Sequence, residues 1–392
     1  MLNFEYSIPT EIFFGEGQIK VLGKEILKYG DRVLLVYGGG SIKRNGIYDE
    51  VIKKFSENNI KHWELAGVEP NPRIETVRKG IEICRENKID LILAVGGGST
   101  IDCSKVIGAG YFYDGDAWDI VKDMTKITNS LPIASIITLS ATGSEMNRGA
   151  VISNLNTNEK YGTGHKSMAP KFSILDPTYT YTVPRHQTAA GIADIMCHIF
   201  EVYFSKTDSA FVQNKLAEGL MKTCIKYGRK AMDEPSNYEA RANIMWTSSL
   251  AINGLLSYGK TTEWTMHLME HELSAFYDIT HGIGLAIIIP KWMEYALNEE
   301  TLDKFCEYAI NVWNVAENGN KEEIAKAGIE KTKEFLYSTL EIPSNLKELG
   351  IDEENLEKMA EKAVSISPKK VIGSFKPLGF HDVLSILKAC LN

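Results

Sequence analysis

A chain of 392 residues, 44% hydrophobic and 24% charged, is long enough for two domains with sizeable cores, and this balance excludes a disordered or fibrous protein. A net charge of -8 and a pI near 5.6 argue against nucleic acid or an anionic membrane surface as partner. No run approaches the roughly eighteen apolar residues of a membrane span, and Met1–Tyr6 lacks a basic stretch followed by an apolar one. The six cysteines (84, 103, 197, 224, 306 and 390) form no C-x-x-C pair, so a cytoplasmic protein with reduced, buried thiols is expected.

Taken in order, the first half alternates short β-branched runs with amphipathic segments. Strands are predicted at Val33–Tyr37, Ile60–Leu65 and Leu91–Val95, with helices at Ile47–Asn58 and Ile74–Glu86 between them. Unbroken apolar runs suit strands buried on both faces of a parallel sheet. Ile133–Thr138 is a further strand, and Val151–Asn154 reads as an edge strand. Lys160, beyond the polar turn Asn154–Glu159, reads as solvated surface.

Two of these strands run into triple glycine, Gly38-Gly39-Gly40-Ser41 and Gly96-Gly97-Gly98-Ser99, each ahead of a predicted helix. Glycine admits a ligand close to the backbone, and a helix N-terminus offers unpaired N–H groups, so the pair of loops points to a phosphate. Neither loop is G-x-G-x-x-G, and the nucleotide triphosphatase loop is absent. The segment Thr138-Leu-Ser140-Ala-Thr142-Gly-Ser-Glu145 is dense in hydroxyls that suit a ribose, a pyrophosphate or a carboxamide, or that simply cap a helix.

Near Asp176–Pro184 strand-like alternation gives way to helical periodicity, which divides the chain into residues 1–183 and 184–392. Nine helices are predicted in the second part: 187–205, 209–232, 237–257, 261–277, 284–297, 302–314, 322–340, 353–364 and 381–391. This part gathers His267, His271 and His281 into fifteen residues, while Asp194 and His198 are spaced i, i+4 on another helix. Imidazoles and a carboxylate from facing helices are what a bundle-held metal needs. His62, His165, His186 and His381 read as ordinary surface or core histidines, and Cys197 as packing. His267-Leu-Met-Glu270-His271 also matches the H-x-x-E-H pattern of some zinc peptidases, but that reading gives the glycine loops, the Asp194/His198 pair and His281 no role.

Together, Gly96-Gly-Gly-Ser-Thr-Ile-Asp102-Cys-Ser-Lys105, Thr138–Glu145, Asp194/His198 and His267-x-x-x-His271 with His281-Gly282 closely resemble the iron-containing (group III) alcohol dehydrogenases over nearly the whole chain. Tyr37-Gly-Gly-Gly-Ser-Ile-Lys43 resembles the butanol dehydrogenase branch. The resemblance implies an N-terminal α/β dinucleotide-binding domain and an all-α C-terminal metal-binding domain, an architecture shared with dehydroquinate synthase. It implies a divalent metal, Fe2+ or Zn2+, held by Asp194, His198, His267 and His281, with His271 beside the metal and nicotinamide. Cofactor contacts are implied at Gly38, Gly39, Gly40, Ser41, Gly96, Gly97, Gly98, Ser99 and Asp102, with Thr138, Ser140, Thr142, Asn147 and Lys160 along ribose and nicotinamide. A homodimer is the family expectation.

An aliphatic alcohol holds its proton far above neutral pH, and a divalent cation answers that by stabilising charge on the substrate oxygen. His271 is expected to relay the proton, the alternative being a histidine that only orients a ligand of the metal. No acidic residue follows Val33–Tyr37, whereas Ser41, Lys43 and Arg44 do, which favours NADP(H) over NAD(H). The apolar residues Met196, Ile199, Phe200, Trp264, Met266 and Leu268 near the expected ligands suit a small aliphatic alcohol or aldehyde. A dehydroquinate synthase-like lyase would instead need convergent Lys and Arg, and a metal-stabilised binding protein would show no turnover.

Overall fold

The unbroken apolar runs of the first half become a parallel sheet. The computed structural model describes residues 1–207, 209–262 and 264–392, which divide into two compact units. The α/β unit comprises Ser7–Val183 with Pro235–Ser249. Its strands are β1 (Glu11–Phe14), β2 (Arg32–Tyr37), β3 (Lys61–Leu65), β4 (Leu91–Gly96), β5 (Ile133–Ile137), β6 (Gly149–Asn154), β7 (Glu159–Gly164) and β8 (Phe172–Leu175). Six form one sheet in the order β1-β8-β5-β4-β2-β3, every pair parallel. Its helices are α1 (Leu22–Ile26), α2 (Ser41–Arg44), α3 (Ile47–Glu57), α4 (Ile74–Asn87), α5 (Gly98–Gly110) and α6 (Ala117–Lys122).

Both faces of the sheet are covered, which is why the strands read as unbroken rather than alternating. Along β2, Leu34 and Val36 pack with Val77 and Ile81 of α4 and Val106 of α5. Val33 and Leu35 pack on the other face with Ile26, Val51 and Phe55 of α1 and α3. Removing side chains of this size from water contributes about 1.5–3 kcal/mol each. From β2 the chain steps outward to β3 and then returns past β2 to β4 and β5. The reversal lies between β2 and β4, and ligands of open α/β sheets bind beyond the C-terminal ends of strands at such a point. Those two strands carry the two glycine loops.

Two expectations are corrected here. β6 is not an edge of the main sheet; it forms a separate antiparallel hairpin with β7. Lys160 lies on β7, opposite Ser153, and is buried, its Nζ donating to Asn71 Oδ1 at 3.0 Å. The polar turn before it is a hairpin turn, and the strand that follows carries the lysine inward.

The helical unit comprises Met1–Tyr6, Pro184–Glu234 and Leu250–Asn392. It contains α7 (Arg185–Tyr203), α8 (Phe211–Asp233), α10 (Thr265–Tyr277), α11 (His281–Ala296), α12 (Leu302–Trp313), α13 (Lys321–Lys333), α14 (Leu356–Ser365) and α15 (Phe380–Ala389), while α9 (Tyr238–Ile252) belongs to the α/β unit for most of its length. Each of the nine predicted helices has its counterpart, α13 running on into a π-helical turn at Glu334–Thr339. No helix among the described residues is long and apolar enough to cross a membrane.

Candidate metal centre and dinucleotide loops

Three helices of the helical unit build the first site. Asp194 and His198 lie one turn apart on α7, His267 is in the first turn of α10, and His281 is the first residue of α11. The Nε2 atoms of His198, His267 and His281 stand 3.5, 3.7 and 3.7 Å from Asp194 Oδ1. Donor atoms at about 2.1 Å from a tetrahedral metal would sit about 3.4 Å apart, so these separations match a site built for one small cation. Asp194 Oδ1 and His267 Nε2 are buried with no hydrogen-bond partner, a costly arrangement unless both face a cation. The three imidazoles and one carboxylate therefore fit the divalent metal that the resemblance implies, and an N3O set suits Fe2+ and Zn2+ alike.

Burial opposes charge on Asp194, yet His198, His281 and His267 hold its carboxyl well below the usual range. Burial also pushes the His198 imidazole down to about 3 against the pull of Asp194. His198 thus stays neutral at physiological pH, the form in which imidazole binds metal.

Two further carboxylates aim the rings. Glu201, on α7 and buried, accepts the backbone N–H groups of Thr265, Met266 and His267 at 3.0, 2.7 and 3.0 Å, closing the N-terminus of α10. The same carboxylate lies 3.2 Å from His267 Nδ1. A carboxylate can only accept, so Nδ1 carries the proton and Nε2 keeps its lone pair for the site. Glu270, fully buried on α10, does the same for His281 Nδ1 and also accepts from the Ser274 hydroxyl. The Glu of the H-x-x-E-H pattern is therefore occupied in aiming a ring, which leaves it unsuited to act as a peptidase base. Gly282 sets the height of α11: a Cβ there would stand 2.0 Å from Ala190 O of α7, one turn before Asp194. Glu201 does not stand out as functional in the sequence, whereas Gly282 is visible there as the glycine of the His281-Gly282 motif.

His271 stands beside the cage, with ring centroids 6.4 Å from His267 and 5.9 Å from His281. Cys197 is buried with Sγ 3.8 Å from His267 Nδ1, on the side of the ring away from Asp194 Oδ1. Of the apolar neighbours, Met196, Ile199, Phe200 and Met266 are fully buried core. Phe200, for instance, packs edge-on to Tyr308. Trp264 is the one that flanks the cage, edge-on to His198 and His267 at 5.9 and 5.2 Å.

The second site belongs to the α/β unit. α5 begins directly after Gly97 with no side-chain cap, leaving its first N–H groups for a ligand. A Cβ on Gly98 would stand 2.1 Å from Thr142 Oγ1, so glycine there is what brings the hydroxyl-rich segment onto the helix start. Thr138 N donates to Gly96 O at 3.0 Å, and Ser140 is half-buried on the same segment. Gly40 has φ +90°, a left-handed conformation that opens α2 at Ser41.

Asp102 and Asn147 are largely committed within the protein. Asp102 accepts from Ser144 Oγ and Val151 N at 2.5 and 2.9 Å. Asn147 Oδ1 accepts from Gly149 N and from the buried Lys105 at 2.9 and 2.8 Å. Lys105 also donates to Ser144 Oγ and Gly149 O, each at 2.8 Å. The fold also places an acidic residue beside the first loop after all: Glu64, from the neighbouring strand β3.

Residues 9–177 match the family described as iron-containing alcohol dehydrogenase, and residues 188–391 match the C-terminal domain of the same family. The chain belongs to the iron-containing alcohol dehydrogenase family. It is 63% identical over 388 residues to NADH-dependent butanol dehydrogenase A of Clostridium acetobutylicum, covering 99% of each chain. It is 39% identical over 366 residues to the NADPH-dependent aldehyde reductase YqhD of Escherichia coli, covering 92% of this chain and 93% of that one. Among solved structures, NADH-dependent butanol dehydrogenase A of Thermotoga maritima superposes with a TM-score of 0.95 at 39% identity, over 100% of this chain and 99% of that one. As a member of this family the protein is a metal- and nicotinamide-dependent alcohol dehydrogenase and aldehyde reductase. The peptidase, lyase and non-catalytic readings fall away.

Proposed function

We propose that this enzyme interconverts butanal and butanol, with Asp194, His198, His267 and His281 holding one divalent metal and the α/β part up to Val183 holding the dinucleotide. The observation that carries the reading is the convergence of three Nε2 atoms on the partnerless Asp194 Oδ1. When bound, the metal supplies Lewis acidity to the substrate oxygen, and the nicotinamide gives or takes the hydride. The chain's own residues do the rest. Glu201 and Glu270 keep Nδ1 of His267 and His281 protonated. His271, half-buried and one turn from His267, moves the proton between substrate oxygen and solvent. Trp264 offers an aliphatic chain an apolar wall. Gly38, Gly39, Ser41, Gly96, Gly97, Gly98 and Ser99 approach the cofactor phosphates through the backbone, while Gly40, whose N–H donates to Gly38 O at 2.9 Å, shapes the first turn. Thr138, Ser140, Thr142 and Lys160 reach its ribose and nicotinamide, while Asp102 and Asn147 act by holding the loop that carries Ser144.

The preferred cofactor is NADH, with NADPH accepted more weakly. The sequence-based preference for NADP(H) rests on the lack of an acid after β2 and on Ser41, Lys43 and Arg44, of which Lys43 lies 3.7 Å from Glu64, an acidic partner contributed by the next strand. Relatives at 63% and 60% identity are named NADH-dependent. A cytoplasmic homodimer fits the unpaired edge of β1 and the six buried free cysteines among the described residues.

The test is oxidation of NADH by butanal. Activity should vanish on chelation and return with Fe2+ or Zn2+. Metal-replete protein that consumes neither NADH nor NADPH with any short aldehyde would sink the reading.

A further inference from the structure

Beside the first glycine loop, four side chains, with His62 Nε2 4.0 Å from the Glu64 carboxylate among them, form a polar cluster that the reaction itself does not use. Tyr37 ends β2, Lys43 lies on α2, Tyr48 lies on α3, and Glu64 lies near the end of β3. Glu64 Oε2 accepts from the Tyr37 hydroxyl at 2.6 Å, and Oε1 accepts from the Tyr48 hydroxyl at 2.5 Å. Lys43 Nζ lies 3.7 Å from Glu64 Oε2 and over both rings, 5.0 Å from the Tyr37 centroid and 4.4 Å from that of Tyr48. Burial opposes charge on Glu64, but the two hydroxyls and Lys43 hold its carboxyl below the usual range.

This cluster is tied to the loop. Tyr37 runs straight into Gly38, and the segment after β3 is laced to it by Gly67 N to Gly38 O and Val68 N to Tyr37 O, each at 3.2 Å. Lys43 is on the short helix that Gly40 opens. In an open α/β sheet, the loop after the strand next to the phosphate-binding strand faces the adenosine ribose, the one place where NADH and NADPH differ. A 2′-phosphate needs a cation with free donors, and a carboxylate close by repels it.

We propose that Glu64 is the residue that sets cofactor preference, acting as a positioning residue that clamps Lys43 against Tyr37 and Tyr48 and so withholds it from a 2′-phosphate. The proposal rests on the dinucleotide reading of the Gly38–Ser41 loop. It assigns discrimination to a charge outside that loop, which binds both cofactors through shared phosphates.

The test is a double-mutant cycle on the metal-loaded enzyme, reading the ratio of kcat/KM for NADPH to that for NADH with butanal, and Kd for each reduced cofactor by fluorescence titration. Glu64→Gln keeps an acceptor for one tyrosine hydroxyl, offers an NH2 to the oxygen of the other, and removes the charge. It should raise the ratio on the order of tenfold, the size expected of one freed charge–phosphate contact, and the gain should shrink with added salt. Lys43→Ala in the Glu64→Gln background should abolish the gain, because the two residues act through one contact. An unchanged ratio in active Glu64→Gln protein would overturn the proposal, as would a gain that survives the loss of Lys43. Failure of the dinucleotide reading is separate and visible in the unmodified enzyme, which would then bind neither cofactor.

Discussion

The two sites are built on opposite principles. In the helical unit, side chains carry the site, and two of the rings are fixed by another side chain: Glu201 behind His267, Glu270 behind His281. In the α/β unit, the absence of side chains carries it, since Gly40 takes a left-handed turn and Gly98 leaves no room for a Cβ beside Thr142. A metal needs particular atoms at particular separations, and only long, braced side chains deliver them. A dinucleotide needs N–H groups at close range, and a bare helix start delivers those.

The contrast can be broken most sharply at the metal. His267→Ala should lose bound metal, read by elemental analysis, and with it activity on the order of a thousandfold or more. His271→Ala should keep metal and lose mainly kcat, by about a hundredfold. Metal loss in the second variant would move His271 into the cage. A milder blow falls on the backbone site. Gly98→Ala places a Cβ 2.1 Å from Thr142 Oγ1, so cofactor Kd should rise about 10–100-fold while metal content stays at the unmodified level. Parallel loss of metal would show that the two sites are not separately built. The subtlest case is Glu201→Gln, which keeps an acceptor for Met266 and His267 N–H, turns an NH2 toward Thr265 N–H, and removes the charge behind His267 Nδ1. Chelator competition should show metal affinity lowered about tenfold, with most of the helix cap retained.

Much of this was legible in sequence because it rests on periodicity or glycine. The nine helices of the second half, the strands carrying the two glycine loops and the i, i+4 pair Asp194/His198 all follow from local pattern. The short strands β1, β7 and β8 did not, since four to six residues with little alternation look like loop until a neighbour pairs with them. Lys160 looked like surface because nothing local announces the hairpin that turns it inward. Glu201 and Glu270 have no motif of their own. One serves the N–H groups and ring of a different helix, and the other serves a ring on the helix that follows. Glu64 is hidden in the sequence for a related reason: its carboxylate comes to the first loop sideways from β3, not from the chain after β2.

The contact between Gly282 and the Ala190 carbonyl has one more consequence. Asp194 and His198 are neighbours in any helical state of α7, but His267 and His281 join them only when α10 and α11 have docked at full depth. A half-packed chain with α7 formed would offer a cation two of the proposed ligands, and the docked bundle all four. On the proposed ligand set, metal uptake would read out finished folding, and the bound ion would favour the assembled helices over looser arrangements.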